Sequence, residues 1–142
     1  MFNGIIFHTG VIKSIKKEKK SLLISIKSNL KVVNKDIGSS ICCDGVCLTI
    51  SKIKSGLIYF YISVETLKRS TFSNAKIGQI VNLEKSLLFG QNISGHFVQG
   101  HVDTVAKIKK IGFIDKSWTL RLQLLKKNLN KFKNICISAQ SF

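Results

Sequence analysis

The sequence predicts an all-β protein, a barrel or a sandwich. Short apolar or alternating runs recur about every ten residues, and turn chemistry separates them. One pair of runs flanks Asp44-Gly45, a strong short-range hairpin signal. The first two strands are expected at 11–15 and 22–26, parted by the charged turn Lys16-Lys17-Glu18-Lys19-Lys20. A short helical turn is expected over 28–33. Strands at 41–43 and 47–50 form the Asp44-Gly45 hairpin. Gly56 then separates the second of these from a strand at 57–64, which carries Tyr59, Phe60 and Tyr61. A helical turn follows over 65–69 and a strand over 80–83. Further strands are expected at 102–108, 117–125 and 135–138, with a helical turn over 126–132.

The chain has 142 residues, enough to bury a core without a metal or disulfides. Hydrophobic residues make 44% and charged residues 21%, which excludes a disordered polar tail. Proline is absent, which excludes collagen-like and polyproline structures. No run of about 18 apolar residues occurs, and the N-terminus lacks a signal-peptide pattern, so a cytoplasmic protein is expected. The formal charge of +16 raises the class of nucleic-acid binders. Against it, 21 of the 23 basic residues are Lys, whereas base and phosphate recognition favours the Arg fork. Lys, Ile and Asn, all with A/T-rich codons, make 50 of the 142 residues. A solvated Lys surface, with no specific nucleic-acid or membrane partner, follows.

Cys42, Cys43, Cys47 and Cys136 do not form a disulfide framework, because two are adjacent and no oxidising compartment is indicated. Cys43 and Cys47 lack zinc-site spacing, so no metal is expected. Cys42 and Cys136 read as small buried hydrophobes. An internal repeat is visible. Residues 11–17 resemble 105–110 at an offset of 94, and at that offset Ile41-Cys42-Cys43 faces Ile135-Cys136-Ile137. Cys47 then falls opposite Ser141, and the second repeat stops about halfway.

Four stretches in order are specific. They are Met1-Phe2-Asn3-Gly4-Ile5-Ile6; Asp44-Gly45-Val46-Cys47-Leu48-Thr49-Ile50; Glu65-Thr66-Leu67-Lys68-Arg69-Ser70; and Gly95-His96-Phe97-Val98-Gln99-Gly100-His101-Val102-Asp103. Together they resemble riboflavin synthase of the α-chain type, built from two lumazine-binding barrels. The resemblance is good over residues 1 to about 110. It implies a Greek-key six-stranded β-barrel over 1–95 and an incomplete second barrel over 96–142. It implies a cofactor-free dismutation of two molecules of 6,7-dimethyl-8-ribityllumazine into riboflavin and 5-amino-6-ribitylamino-uracil. The family is homotrimeric, with sites shared between subunits; without the C-terminal helix a dimer or monomer is expected here. A module that binds lumazine or flavin without turnover is the alternative.

Carried over by resemblance, Cys47, His101 and Ser141 are the candidate catalytic residues. The substrate-lining stretches are Gly4, Ile5 and Ile6; Cys47, Leu48 and Thr49; Tyr61, Ile62, Ser63, Val64, Glu65 and Thr66; and Gly100, His101 and Val102. On the residues themselves, Cys47 and Thr49 lie two apart on one strand and so share a face. Histidine exchanges a proton near neutral pH. His96 and His101 also read as hydrogen-bonded strand-end residues, Cys47 alone as a buried thiol, Thr66 as a helix cap, and Glu65 as a surface charge. Asn3 and Ser70 stand where the family has Thr. The segments 131–134 and 138–142 depart from the family's second Lys-Gly and Asp-Gly-Val-Ser-Leu-Thr, which reads as C-terminal truncation.

Overall fold

A computed structural model describes residues 1–124. Six antiparallel strands close into a barrel: β1 (His8–Glu18), β2 (Ser21–Ser28), β3 (Ser40–Cys43), β4 (Val46–Lys54), β5 (Leu57–Ile62) and β6 (Ile80–Lys85). Around the barrel their order is β1-β2-β5-β4-β3-β6. Closure leaves no free sheet edge. A separate two-stranded sheet follows, β7 (Ala106–Ile114) with β8 (Ser117–Leu124).

The period-two pattern explains what lies inside. Ile12, Ile24, Ile26, Ile41, Leu48, Ile50, Ile58, Phe60, Ile62 and Leu83 point inward and are almost wholly buried. Phe72, on a short turn at Thr71–Asn74, plugs the same core. The intervening residues face outward. On β4 this splits the strand, with Val46, Leu48 and Ile50 buried while Cys47 is half-buried and Thr49 exposed.

Hairpin turns supply the closures. At Asp44-Gly45 both central residues have positive φ, 47° and 83°, the twist that suits a tight hairpin. The buried Asp44 carboxylate also accepts the Asn82 N–H at 2.7 Å, which ties the hairpin to β6.

Ahead of β1, the N-terminal arm lies along the outside of the barrel. The Met1 carbonyl accepts the Leu87 N–H at 2.9 Å, and Phe2 pairs with Val98 through two backbone hydrogen bonds. The buried Glu84 carboxylate holds the next step, accepting the Asn3 N–H at 2.6 Å and the Gly4 N–H at 3.1 Å. Glu84→Gln replaces one acceptor oxygen with a donor facing an N–H. We expect a loss of about 1–3 kcal/mol in urea denaturation, with faster amide exchange at Asn3 and Gly4.

Lys16-Lys17-Glu18 extend β1 and leave only Lys19-Lys20 as the turn, and four further details differ from the sequence reading. No helical turn forms over 28–33; the Ser28 hydroxyl instead accepts the Leu30 N–H, and a 3-10 turn forms at Asn34–Asp36. The strand expected over 57–64 ends at Ile62, because Ser63 turns the chain into the helix α1 (Val64–Arg69). The strand expected from 102 begins only at Ala106, since Gly100 is engaged with β4. The fourth is the repeat offset. The β1–β2 and β7–β8 hairpins share a bulge, at Ile12/Ser14 and Ile108/Lys110, and a two-residue turn with positive φ at Lys19 and Asp115. These pairs set the offset at 96 (12 to 108, 19 to 115), not 94. Matching Ser141 to Cys47 therefore requires two fewer residues after β8 than after β2. Ser141, Cys136, the helical turn over 126–132 and the strand over 135–138 lie outside the described residues.

Candidate functional site

The Gly95-to-Asp103 motif runs back across the barrel and is stitched to two places. The His96 N–H donates to the Asn3 carbonyl at 3.2 Å, and the Cys47 N–H donates to the Gly100 carbonyl at 2.8 Å. Both glycines are required by close approach. A Cβ on Gly95 would strike the Asn3 carbonyl oxygen, and one on Gly100 would lie 2.9 Å from both the Cβ and the N of Cys47. Gly100 also has φ +74°, a conformation costly for residues with a Cβ. The spacing of the motif thus lays His101 and Val102 beside Cys47.

On the other side stands α1. Ser63 caps it, accepting the Thr66 N–H at 3.2 Å, and its hydroxyl lies 3.0 Å from that of Thr66. The cap is Ser63 and not Thr66, whose hydroxyl lies one turn into the helix. Glu65 and Arg69 pair along the helix at 2.6 Å. The Arg69 hydrogen bond, and then its charge, hold the Glu65 carboxyl below its ordinary range.

These elements enclose a cleft of ≈ 180 Å³. Cys47 and Val46 come from β4, Glu65, Thr66 and Arg69 from α1, and Gly100, His101 and Val102 from the returning segment. A thiol, a hydroxyl and an imidazole therefore share one surface depression. Six of the sequence-predicted residues meet here: Cys47, Glu65, Thr66, Gly100, His101 and Val102.

Other predicted residues stand elsewhere. The side chains of Leu48 and Ile62 are in the barrel core, which leaves only their backbone for a ligand. Thr49 is exposed on the outward face, opposite Ser40. Tyr61 is half exposed, Ser63 is the helix cap and Val64 opens the helix. Gly4 and Ile6 belong to the exposed arm, and Ile5 lines a second cavity of ≈ 700 Å³ with Phe7, Leu87 and Leu88. Two cleft residues were not anticipated as site members, Val46 and Arg69. The i,i+4 spacing of Glu65 and Arg69 was the available signal for the second.

A closed six-stranded barrel thus carries on its outer wall a small cleft, roofed by the returning segment. The Lumazine binding domain family matches residues 3–86, and the chain belongs to that family. Curated relatives are riboflavin synthases. That of Photobacterium leiognathi is 38% identical over 99% of this chain and 66% of its own length. That of Photobacterium phosphoreum is 39% identical over 76% and 50%. That of Bacillus subtilis is 35% identical over 78% and 52%. The chain thus spans between half and 66% of the length of these relatives. Among solved structures, LumP complexed with 6,7-dimethyl-8-(1'-D-ribityl) lumazine matches with TM-score 0.71 and 26% identity, over 89% of this chain and 70% of that one. LumP complexed with riboflavin matches with TM-score 0.72 and 26% identity, over 92% and 71%. Among the described residues no helix is long and apolar enough to cross a membrane.

Proposed function

We propose that this chain acts as a riboflavin synthase: one molecule of 6,7-dimethyl-8-ribityllumazine donates a four-carbon unit to another, giving riboflavin and 5-amino-6-ribitylamino-uracil. The observation that carries the reading is the cleft in which Cys47, Thr66 and His101 converge. The C7 methyl of the lumazine is acidic because its ring is electron-poor. His101 removes that proton, and Cys47 and Thr66 hold the ring edge through their thiol and hydroxyl. Residues 1–95 act as the first ligand-binding barrel and 96–142 as part of a second.

The size of the cleft decides how turnover must work. At ≈ 180 Å³ it falls below the roughly 300–1,000 Å³ that encloses a drug-sized ligand. One barrel therefore offers a half-site, and a second must supply the facing wall and the second stacked substrate. With one closed barrel among the described residues, that wall comes from another copy. Incubation with the lumazine should produce riboflavin, read by its visible absorbance. The rate per chain should rise with protein concentration, because the reacting site is shared between chains. A rate per chain that is constant on dilution would contradict the shared site; no riboflavin at any concentration would contradict the enzyme reading.

A second reading, binding of lumazine or flavin without turnover, is favoured by the match to LumP in complex with both ligand types. Ligand fluorescence changing on binding with no product formed would select it.

A further inference from the structure

Cys42 and Cys47 are direct partners across the β3–β4 hairpin. Their neighbours fix which way they face. Ile41 and Cys43 on β3, and Val46 and Leu48 on β4, all belong to the hydrophobic core. Cys42 and Cys47, lying between those positions, share the outward face. The pair is also of the non-hydrogen-bonded kind, because the Cys47 N–H donates to Gly100 and not across to Cys42. In such pairs the Cα atoms lie about 4.5 Å apart and the side chains are closest, within the roughly 4.4–6.8 Å window that a disulfide spans. Cys43 is excluded as a partner: it points into the core, its thiol toward the Ile41 carbonyl.

The two thiols differ in access. Cys47 lines the cleft and is half-buried. Cys42 is 4% exposed and pairs with Glu84 on β6. Burial pushes the Cys42 thiol up to about 12, and the nearby Glu84 and Cys47 add to this. An oxidant therefore meets Cys47 first, with Cys42 held beside it as the resolving thiol.

We propose that Cys42 and Cys47 form a reversible dithiol–disulfide site driven by hydroperoxides. In the first step the Cys47 sulfur attacks the peroxide; the O–O bond breaks, water (from hydrogen peroxide) or an alcohol (from an organic hydroperoxide) leaves, and Cys47 becomes a sulfenic acid. In the second the Cys42 sulfur attacks the Cys47 sulfur, the S–O bond breaks, and water leaves with the Cys42 proton. The peroxide is reduced by two electrons and the two thiols are oxidised to one disulfide. A thiol reductant restores both. Closure takes the Cys47 thiol out of the cleft, so on the reading proposed above the oxidised protein loses a ligand contact.

The test is treatment of the native protein with hydrogen peroxide, followed by alkylation and tryptic mapping. Residues 36–52 form one tryptic peptide holding Cys42, Cys43 and Cys47. After oxidation it should carry one alkyl group in place of three and lack two thiol hydrogens, with fragment ions assigning the link to Cys42 and Cys47, and dithiothreitol added before alkylation should restore all three alkyl groups. In Cys42→Ala the link should vanish and Cys47 should instead be captured by dimedone as the sulfenic acid. A link through Cys43 or Cys136, a link that persists in Cys42→Ala, or oxidation of Cys47 with Cys42 left as a free thiol would each overturn the proposal. These readouts require no lumazine, so they stand or fall separately from the enzyme reading.

Discussion

His101→Gln is expected to slow riboflavin formation by about 10²- to 10⁴-fold, the range associated with a positioned general acid or base. The variant is a clean one because His101 is exposed on the rim of the cleft, so the barrel core is untouched. Glutamine keeps hydrogen-bonding capacity and loses proton exchange. Lumazine affinity should therefore change little while the turnover rate falls. Equal loss in affinity and rate would mean that the imidazole holds the ring and does not move the proton. Unchanged turnover would remove His101 from the mechanism.

Gly100→Ala is expected to damage the whole site. The added methyl would lie 2.9 Å from the Cβ and backbone N of Cys47, at a residue whose φ is +74°. Positive φ alone costs a non-glycine residue of order 1–3 kcal/mol. The clash is with backbone, which cannot swing aside as a flexible side chain does. The least costly response is release of the 100–102 segment from β4, which breaks the Cys47-to-Gly100 hydrogen bond and moves His101 away from Cys47. Lumazine binding should become undetectable, with the barrel still folded by circular dichroism because its core lies on the other face of β4. Faster amide exchange at Cys47 would report the release directly. Wild-type binding by Gly100→Ala would contradict this account of the cleft.

The barrel was legible because its strands are short apolar or alternating runs, and several of its turns carry Asp-Gly or charged residues. Strand ends were less so. The 57–64 run looked continuous because Val64 is as β-prone as the residues before it; only Ser63, a good helix cap, marked the break. The run from 102 is apolar enough for a strand, yet its start is held by Gly100 lying on Cys47, a long-range contact that no local pattern encodes.

The candidate site was legible through its motifs and not through periodicity. Alternation along β4 correctly put Cys47 and Thr49 on one face, but it gave no reason to choose between them; the returning segment covers Cys47 and leaves Thr49 in the open. The stretch of Gly4, Ile5 and Ile6 illustrates the opposite case. It reads as part of the same site, yet Glu84 pins Gly4 to β6 and Ile5 faces the larger cavity. The Cys42–Cys47 pairing was hidden in the sequence because register across a hairpin becomes visible only once the turn is known to hold two residues.

The central claim is that ligand binds at the Cys47 cleft and not in the larger cavity beside it. A crystal structure of this chain with riboflavin bound tests it most directly. The account predicts the flavin ring against Cys47, Thr66 and His101, with its far face covered by a second copy of the chain. A ring seated in the cavity lined by Ile5, Phe7 and Leu88, with the Cys47 cleft empty, would contradict it.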